Sequence, residues 1–378
     1  MELWNQYWPL IAILGHLTSR VEMMRRTTLL TLFVCGACVD SDARDANRGV
    51  VVKTSTSVID DSAEAKVTVP TWAGHVDTLR LSESGAHMIV SPIRVVQDGH
   101  DILVVDPKES RLAAFDSMGN LRWELARKGK GPGELELPIS VAPTSEGYWI
   151  ADIFNGLFLV DKNSREEIRR LRPGSNALQG ILAIDDSTLV LVGRGGPQGK
   201  QETWIHAINT HDGKSRWNAI PVAPLTDPAS RSLTFASISR WRDRLLLTIS
   251  LVDTIYMVGL DGAVLARRAA HIVDRSSVAH LGRERPSPRA LADVVRLTGA
   301  YLLDDSTMVA SFQRGSARAP RYGMALLREG GASATSTRTF PGPLIVGNSE
   351  GVLYGAFADP ERPNVLVRFE GMFQRGTP

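Results

Sequence analysis

The 378-residue sequence predicts an all-β protein built from six repeated units of four strands. Helical periodicity is scarce, whereas short apolar or alternating runs recur between turn residues. A repeat of about 40 to 50 residues has the length of one four-stranded blade of a β-propeller. The units begin near residues 93, 139, 181, 236, 300 and 344. Six antiparallel blades therefore account for most of the chain.

The unit at 93–126 shows the strand pattern most clearly. It divides into four runs, IRVV, DILVVD, RLAAFD and LRWELA, separated by the turn sequences QDGH, PKES and SMGN. Four strands joined by three tight turns form an antiparallel meander. Two recurring turn sequences support the repeat. DDST occurs at 185–188 and at 304–307, and Asp-Gly turns occur at 212–213 and 261–262.

A ring of blades needs a closing strand. The segment DTLRLS at 77–82 precedes the first unit and is too early in the chain to belong to it. We expect it to supply the outer strand of the sixth blade, because that pairing removes an open sheet edge. The third and fourth units contain insertions at 221–233 and 270–293, which predict long loops. The propeller is assigned to residues 69–378.

Residues 1–38 have the composition of an export signal preceded by an upstream extension. Arg25 and Arg26 come before an apolar run of about ten residues, which is too short to span a membrane. The run ends in VCGAC and is followed by acidic residues. We take Met23 or Met24 as the true start; an unusually long basic leader is the alternative.

The end of the signal resembles the lipobox of bacterial lipoproteins, in which small residues precede a cysteine that becomes lipidated. Gly36 and Ala37 fit this pattern and make Cys38 the predicted lipidation site. Cys35 departs from it, since that family usually has leucine at this position. An ordinary secreted chain cut nearby is the alternative. The polar residues 39–68 are expected to form a flexible tether.

Composition narrows the classes of function. The chain has 43 Lys and Arg residues against 41 Asp and Glu residues, so its net charge is close to zero. It therefore has no extended positive electrostatic field that would attract nucleic acid. Membrane contact is expected only through the N-terminal lipid. Both cysteines of the chain lie in the signal, so the exported domain is expected to have neither a disulfide nor thiol chemistry.

Three segments are similar to the six-bladed β-propellers of bacterial exported proteins, relatives of the NHL-repeat group. GKGPGELELP at 129–138 resembles the link between blades in that group. ILVVDPKESRLAAFDSMG at 102–119 follows its strand-turn-strand pattern, and DTIYMVGLDG at 253–262 resembles a fourth-blade strand. The resemblance implies the fold and an exported location. It brings no catalytic residues that could be placed on this chain.

Common catalytic motifs do not occur in the sequence with the structural context that they need. The glycines of 129–134 lack the spacing and the following helix of a nucleotide-binding loop. The string GNSEG at 347–351 has the Gly-x-Ser-x-Gly spacing, but it lies in a predicted strand unit and no helical pattern follows it. No His-Glu-x-x-His pair occurs. His206 and His211 are interpreted as surface or turn residues. Trp123 and Trp217 end outer hairpins and are expected to pack on sheet edges or between blades.

Three aspartates, Asp106, Asp152 and Asp253, occupy matching places after second strands. We expect their carboxylates to accept backbone hydrogen bonds and to shape the turns. The alternative is a metal ion in the central channel, held by such aspartates, which would support a lyase or a hydrolase. No other cofactor is expected.

The candidate binding residues lie where a propeller presents its loops around the channel. Loops that enter the innermost strands and loops between second and third strands emerge at one end, here called the channel rim. Loops on a rigid scaffold are where binding residues usually lie. The candidates are Lys128, Lys130, Glu134, Asp106, Asp152, Asn155, Arg194, Asp253, Arg314 and Arg321.

The predicted function is a monomeric binding or interaction module of the cell envelope. It would be a lipoprotein of the periplasm or outer membrane, or alternatively a secreted protein. Its partner would be an envelope protein, a peptide or a glycan, and the rim arginines would bind carboxylate or sulfate groups. A metal-assisted lyase or hydrolase with its site in the channel is the alternative function.

Overall fold

The computed structural model describes residues 58–59, 67–68, 75–82, 89–171, 178–195, 201–222, 234–273, 294–314, 321–328, 344–349, 351–356 and 365–370. All of the regular secondary structure in these ranges is β-strand. None of them contains a helix long and apolar enough to cross a membrane. The predicted signal, with Met23, Met24 and Cys38, lies outside the described residues. Two short strands of the expected tether, β1 (Val58–Ile59) and β2 (Val67–Thr68), pair with each other.

The other strands form six antiparallel sheets, so the predicted six-bladed propeller is confirmed. In each blade the first strand lies innermost, beside the first strands of the neighbouring blades. Blade 1 contains β4 (Arg94–Asp98), β5 (Asp101–Asp106), β6 (Arg111–Phe115) and β7 (Leu121–Leu125). Blade 2 contains β8 (Pro138–Pro143), β9 (Gly147–Asp152), β10 (Gly156–Asp161) and β11 (Glu167–Leu171). Blade 3 contains β12 (Gly180–Asp185), β13 (Thr188–Gly195), β14 (Thr203–Asn209) and β15 (Ser215–Pro221).

The second half of the ring includes one blade with fewer described strands. Blade 4 contains β16 (Ala236–Trp241), β17 (Arg244–Ile249), β18 (Val252–Gly259) and β19 (Val264–Ala269). Blade 5 contains β20 (Arg296–Leu302), β21 (Thr307–Arg314) and β22 (Arg321–Arg328). Blade 6 contains β23 (Leu344–Ser349), β24 (Val352–Ala356), β25 (Val365–Glu370) and β3 (His75–Arg80). The expected fourth strand of blade 5 falls in 329–343, outside the described residues.

The ring closes through β3, as the sequence predicts for 77–82. This strand pairs antiparallel with β25 at the other end of the propeller, with Val76 opposite Phe369. An ion pair of 2.7 Å joins Asp77 to Arg368 across the seam. The closing strand covers the edge that β25 would otherwise expose.

The outer turn of blade 1 rests on the closing strand. Gly119 has a φ of +85°, as expected for the last residue of this turn, and a Cβ placed on it would lie 2.0 Å from the Arg80 carbonyl oxygen. The Ser82 N–H donates to the Gly119 carbonyl at 2.7 Å, and the Leu121 N–H donates to Ser82 Oγ at 2.7 Å. Glycine is required here by both the φ angle and the close approach.

The core consists of apolar clusters between neighbouring blades. Between blades 1 and 2, for example, Leu103 and Val105 pack with Tyr148 and Phe158. The Trp123 ring lies 5.0 Å from the Tyr148 ring, centroid to centroid. Strand alternation places one set of side chains against each neighbouring blade, so the stability of the ring comes from repeated contacts between sheets.

Trp217 likewise joins two blades. Its indole Nε1 donates to the Leu260 carbonyl of blade 4 at 3.1 Å. A Cβ placed on Gly262 would lie 2.7 Å from the indole, so the ring covers the Asp-Gly turn of the next blade. The expected packing of these two indoles between blades is confirmed.

The DDST repeat has a physical explanation in the turns between first and second strands. The first aspartate folds its own turn: Asp185 Oδ1 accepts from the Ser187 N–H at 2.8 Å, and Asp304 does the same for Ser306 at 2.7 Å. The second aspartate reaches the preceding blade. Asp305 accepts from the Arg242 guanidinium at 2.9 Å.

Asp186 makes the corresponding contact between blades 2 and 3. Its carboxylate accepts from the side chain of Ser145 at 2.6 Å and from the backbone N–H of that residue at 2.7 Å. These hydrogen bonds lower the pKa of Asp186 because they favour the charged carboxylate. The repeated motif therefore shapes a turn and joins adjacent blades.

Candidate functional site

The blade topology places all ten candidate residues at one end of the propeller. Strand direction alternates within each blade, so second strands end where the links from the preceding blades arrive. Asp106 and Asp152 end second strands, and Lys128, Lys130 and Glu134 lie in the link between blades 1 and 2.

Asp152 holds two loops of the channel rim together. One carboxylate oxygen accepts from the N–H groups of Glu136 and Leu137 in the incoming link, at 2.8 Å each. The other oxygen accepts from Phe154 and Asn155 in the following turn, at 2.9 Å each. The side chain is only 1% exposed, so the hydrogen-bonded carboxylate is withdrawn from solvent.

Asp106 repeats this arrangement in blade 1. Its carboxylate accepts from Val90 and Ser91 in the link that enters the blade, and from Lys108 and Glu109 in the turn. The residue is fully buried. The two aspartates therefore act as turn-shaping acceptors, which agrees with the structural interpretation of their positions.

Asp253 is not equivalent to these two aspartates, which corrects the sequence-based alignment. It lies inside the third strand, β18, and its carboxylate accepts from His271, Ile272 and Val273 in the link that leaves the blade. Ser250 takes the place after the second strand, where its Oγ accepts from the Phe235 N–H at 2.9 Å. The turn between β17 and β18 has only two residues, against four in the corresponding turn of blade 1, so Asp253 falls inside the third strand.

The glycine-rich link is a folded connection between blades. The Glu134 carboxylate accepts from the Gly131 N–H at 2.7 Å, and the Gly133 N–H donates to Glu167 at 2.7 Å. Asn155 Nδ2 donates to the carbonyls of Gly129 and Glu134 at 2.9 Å each. Two of the glycine amides are thus already hydrogen-bonded to carboxylates of this chain. Glu134 and Asn155 hold the link in place.

Two other polar residues at this end also have structural partners. Arg194 pairs with Glu202 of its own hairpin at 2.8 Å and is 18% exposed. His206 is 4% exposed, and its ring lies within hydrogen-bond distance of Asn218 Oδ1 and the Gly193 carbonyl. The prediction of a surface or turn position is wrong for His206, because this residue lies in the middle of β14, where both faces of the strand are buried. His211 is exposed in a turn, as expected.

Four of the predicted cations remain exposed: Lys128, Lys130, Arg314 and Arg321. Lys130 is 72% exposed although it contacts Glu136 at 3.3 Å. Its Nζ also lies 5.8 Å from the ring centroid of Phe154, a rim side chain that is 54% exposed. Phe154 lies within the rim turn predicted at 152–155 but is not among the individually predicted binding residues; its position at the tip of that turn was the available signal.

Arg314 and Arg321 face each other directly across the β21–β22 ladder at its rim end. Residues directly opposite in an antiparallel ladder project to the same side, and like charges in such a pair are destabilising. Both residues are exposed. The ladder therefore places two exposed arginines directly opposite each other at the rim.

Two more arginines, Arg94 and Arg296, begin the innermost strands of blades 1 and 5. Arg94 lies in the predicted strand run IRVV, whereas Arg296 falls between the predicted loop at 270–293 and the fifth unit at 300. Only the closure of the ring brings the innermost strands together around one axis, so no local pattern could have selected them.

Metal ligation receives no support from the described ranges. No group of three His, Cys, Asp or Glu side chains in them is placed to hold a metal ion. The carboxylates of Asp106, Asp152 and Asp253 already accept backbone hydrogen bonds. Each carboxylate oxygen of Asp106 and Asp152 accepts two of these bonds, so ligation by either residue would require giving some of them up.

The comparisons with known proteins agree with the fold. No protein-family model and no curated protein sequence matches the chain. A "putative exported protein" of Bacteroides fragilis has a similar structure, with a TM-score of 0.56 and 13% identity over 78% of this chain and 95% of that one. A DUF4221 family member from Bacteroides vulgatus has a TM-score of 0.51 and 13% identity over 86% and 98% of the two chains. At this identity the likeness is one of fold.

Proposed function

We propose that this protein is an exported β-propeller that binds anionic groups of a peptide, glycan or envelope protein at its channel rim. The observation that carries the proposal is the direct pairing of Arg314 with Arg321 across the ladder. Two guanidinium groups on one side of a hairpin repel each other when free, and a carboxylate or sulfate group between them removes that cost.

The rest of the rim supports a binding role. Asp152 and Asn155 fasten the link between blades 1 and 2, so Lys128 and Lys130 project from an ordered loop. Phe154 adds an exposed apolar ring beside Lys130. A cation next to an aromatic face suits sugar rings and peptide side chains that carry an acidic group.

Export and lipid attachment are part of the proposal. The twin arginines, the apolar run and the small residues before Cys38 support it. The Bacteroides fragilis protein of similar fold is described as a "putative exported protein", which supports this part of the proposal. A module tethered by residues 39–68 would present its rim to other molecules of the envelope.

The rim is tested with a double variant, Arg314→Gln with Arg321→Gln, and two probes, heparin and poly-L-glutamate. Loss of two charge-assisted contacts, each contributing about 1.5 kcal/mol or more, is expected to weaken binding at least roughly a hundredfold. Dissociation constants are measured by isothermal titration calorimetry at several salt concentrations.

The matched control is Arg122→Gln with Arg242→Gln. It changes the net charge equally, and the two residues are 56% and 66% exposed away from the rim. The control is expected to bind like the wild type. Equal weakening in both double variants, or no binding of either probe by the wild type, contradicts the proposed rim site.

Lipid attachment is tested by Cys38→Ala in a bacterial host, with Cys35→Ala as the matched control. We expect Cys38→Ala to move the protein from the membrane fraction to the soluble fraction and to abolish palmitate labelling. Cys35→Ala is expected to leave both unchanged. Retention of label and membrane association by Cys38→Ala would contradict the anchor.

A further inference from the structure

Trp123 and Arg165 form a stacked pair toward the end of the propeller opposite the rim. Trp123 lies in the outer strand of blade 1, and Arg165 lies in the turn between β10 and β11 of blade 2. The Arg165 Cζ atom is 3.9 Å from the centroid of the Trp123 ring and 5.5 Å from that of the Tyr148 ring. The guanidinium of blade 2 therefore packs directly on an indole of blade 1.

Arg165 occupies a backbone position that holds glycine in three other blades. Its φ is +60°, in the left-handed region, and its N–H donates to the Asp161 carbonyl across the turn. The matching turns of blades 1, 3 and 4 have Gly119, Gly213 and Gly262 there, each with a positive φ. A side chain is strained in this region, and strained residues cluster at functional sites. The Arg165 side chain is therefore present in this turn at a cost to the backbone.

Hydrogen-bond donors of this pair lack an acceptor among the residues that the structure describes. Arg165 Nη1 and Trp123 Nε1 are both buried and have no hydrogen-bond partner. Two carboxylates beside the cluster are already engaged: Asp98 accepts from Lys162 Nζ at 2.8 Å, and Asp161 accepts from two amides of its own turn. A buried donor without an acceptor is costly, so the pair is incomplete as it stands.

Tyr148 does not provide a counter-charge for the guanidinium. Burial, together with the nearby Asp98 carboxylate, raises the pKa of the Tyr148 phenol to about 12. The phenol is therefore neutral at ordinary pH. Within the described ranges no carboxylate forms an ion pair with Arg165. The guanidinium thus lacks both a negative partner and an acceptor for its buried N–H group.

A second arginine–tryptophan pair in the same ring shows which group completes such a pair. In blade 4 the Arg242 Cζ atom lies 5.4 Å from the Trp241 ring centroid, and Arg242 also has a left-handed φ, +53°. The Asp305 carboxylate of blade 5 accepts from Trp241 Nε1 at 3.2 Å and from Arg242 Nη1 at 2.9 Å. One carboxylate therefore serves the indole and the guanidinium together. The pair between blades 1 and 2 has the same donors without this acceptor.

We propose that Trp123 and Arg165 bind a carboxylate group of a ligand, as the pair in blade 4 binds Asp305. The planar fork of the guanidinium matches a carboxylate, and the indole N–H adds a further donor. Arg165 is half-buried, so its long side chain can move aside and admit the ligand. The site goes beyond the proposed rim function, because it lies toward the opposite end of the propeller and uses none of the rim arginines.

The test is an NMR titration of the tryptophan indole N–H groups with succinate and with tetraglutamate, at constant ionic strength. The parent protein carries Arg314→Gln with Arg321→Gln, so that the proposed rim site does not contribute. We expect the Trp123 indole proton, assigned by its loss in Trp123→Phe, to shift saturably downfield. Tighter binding of succinate indicates a small carboxylic acid as the ligand, and tighter binding of tetraglutamate indicates an acidic peptide. The Trp241 signal is the internal control and is expected to stay in place.

Arg165→Gly is expected to weaken binding at least roughly tenfold, because it removes a charge-assisted contact. The variant is expected to fold, since glycine holds this turn position in three other blades. Arg165→Lys keeps the charge without the planar fork, is also expected to weaken binding, and keeps the test decisive if the glycine variant is unstable. Arg242→Gln is the matched control and is expected to bind like the parent.

Two results would overturn the proposal. One is the absence of any shift of the Trp123 indole proton with either probe. The other is equal affinity in the parent and in the Arg165 variants. Because the titration uses the rim variant, failure here leaves the proposed rim function untouched, and failure of the rim test leaves this site untouched.

Discussion

Deletion of residues 1–82 is expected to abolish the cooperative unfolding of the propeller, whereas deletion of residues 1–68 is expected to leave it intact. The longer deletion removes β3, and with it the buried side chains of Val76, Leu79 and Leu81. Burial of each contributes about 1.5 to 3 kcal/mol. Their sum is comparable with the whole stability of an ordinary domain, about 5 to 15 kcal/mol.

The longer deletion also exposes a sheet edge. Without β3, the outer edge of β25 presents unpaired N–H and C=O groups, and the ion pair between Asp77 and Arg368 is lost. Exposed edges favour pairing with another chain. We therefore expect the longer deletion to give aggregates or dimers joined through blade 6.

Urea unfolding followed by tryptophan fluorescence, together with size-exclusion chromatography, distinguishes the two deletions. The shorter deletion serves as the control, because it removes the signal, the tether and the separate pair β1–β2 while keeping β3. A monomer of the longer deletion that unfolds at the wild-type urea concentration would show that the seam does not stabilise the ring.

Asp152→Ala is expected to lower the free energy of unfolding by about 3 to 5 kcal/mol. The substitution removes the acceptor of four backbone hydrogen bonds, two in the incoming link and two in the following turn. Those donors lie close to the protein interior, where water replaces the carboxylate only in part. Asp152→Asn keeps one acceptor oxygen and is expected to cost roughly half as much.

The natural control is Asp161→Ala at the opposite end of the same blade. Asp161 also accepts two turn amides, from Asn163 and Ser164, but in an exposed turn. We expect a smaller loss there, because water can reach the freed amides. Hydrogen exchange of residues 129–137 should accelerate in Asp152→Ala and stay unchanged in Asp161→Ala. Equal stability losses would mean that burial adds nothing to this contact.

Much of the architecture could be predicted because it is encoded locally. Alternating apolar residues and Asp-Gly turns define each hairpin within a few positions, and the repeat gives the number of blades. Even the closing strand could be predicted. The apolar segment at 77–82 precedes the first unit and belongs to no other unit, and a closed propeller needs one strand to complete its last blade. The blade order and the outer strand of blade 6 follow this prediction.

The location of the candidate site could be predicted from the sequence, but the roles of its residues could be predicted only in part. Propeller topology locates the rim from the loop positions, yet the sequence does not show which of its polar residues already have partners. The carboxylates of Asp106, Asp152 and Glu134 already accept hydrogen bonds from backbone N–H groups. Asp253 lies inside the third strand because the turn that precedes it is shorter than the corresponding turns of blades 1 and 2.

The sequence by itself determined the fold class, the number of units and the turn chemistry, because each depends on residues that are close together in the chain. The tertiary structure decided which side chains share the channel. Arg94 and Ile238 are separated by 144 positions and meet only when the ring closes. The enclosure of a cation depends on packing from several blades at once, so a local pattern cannot reveal it.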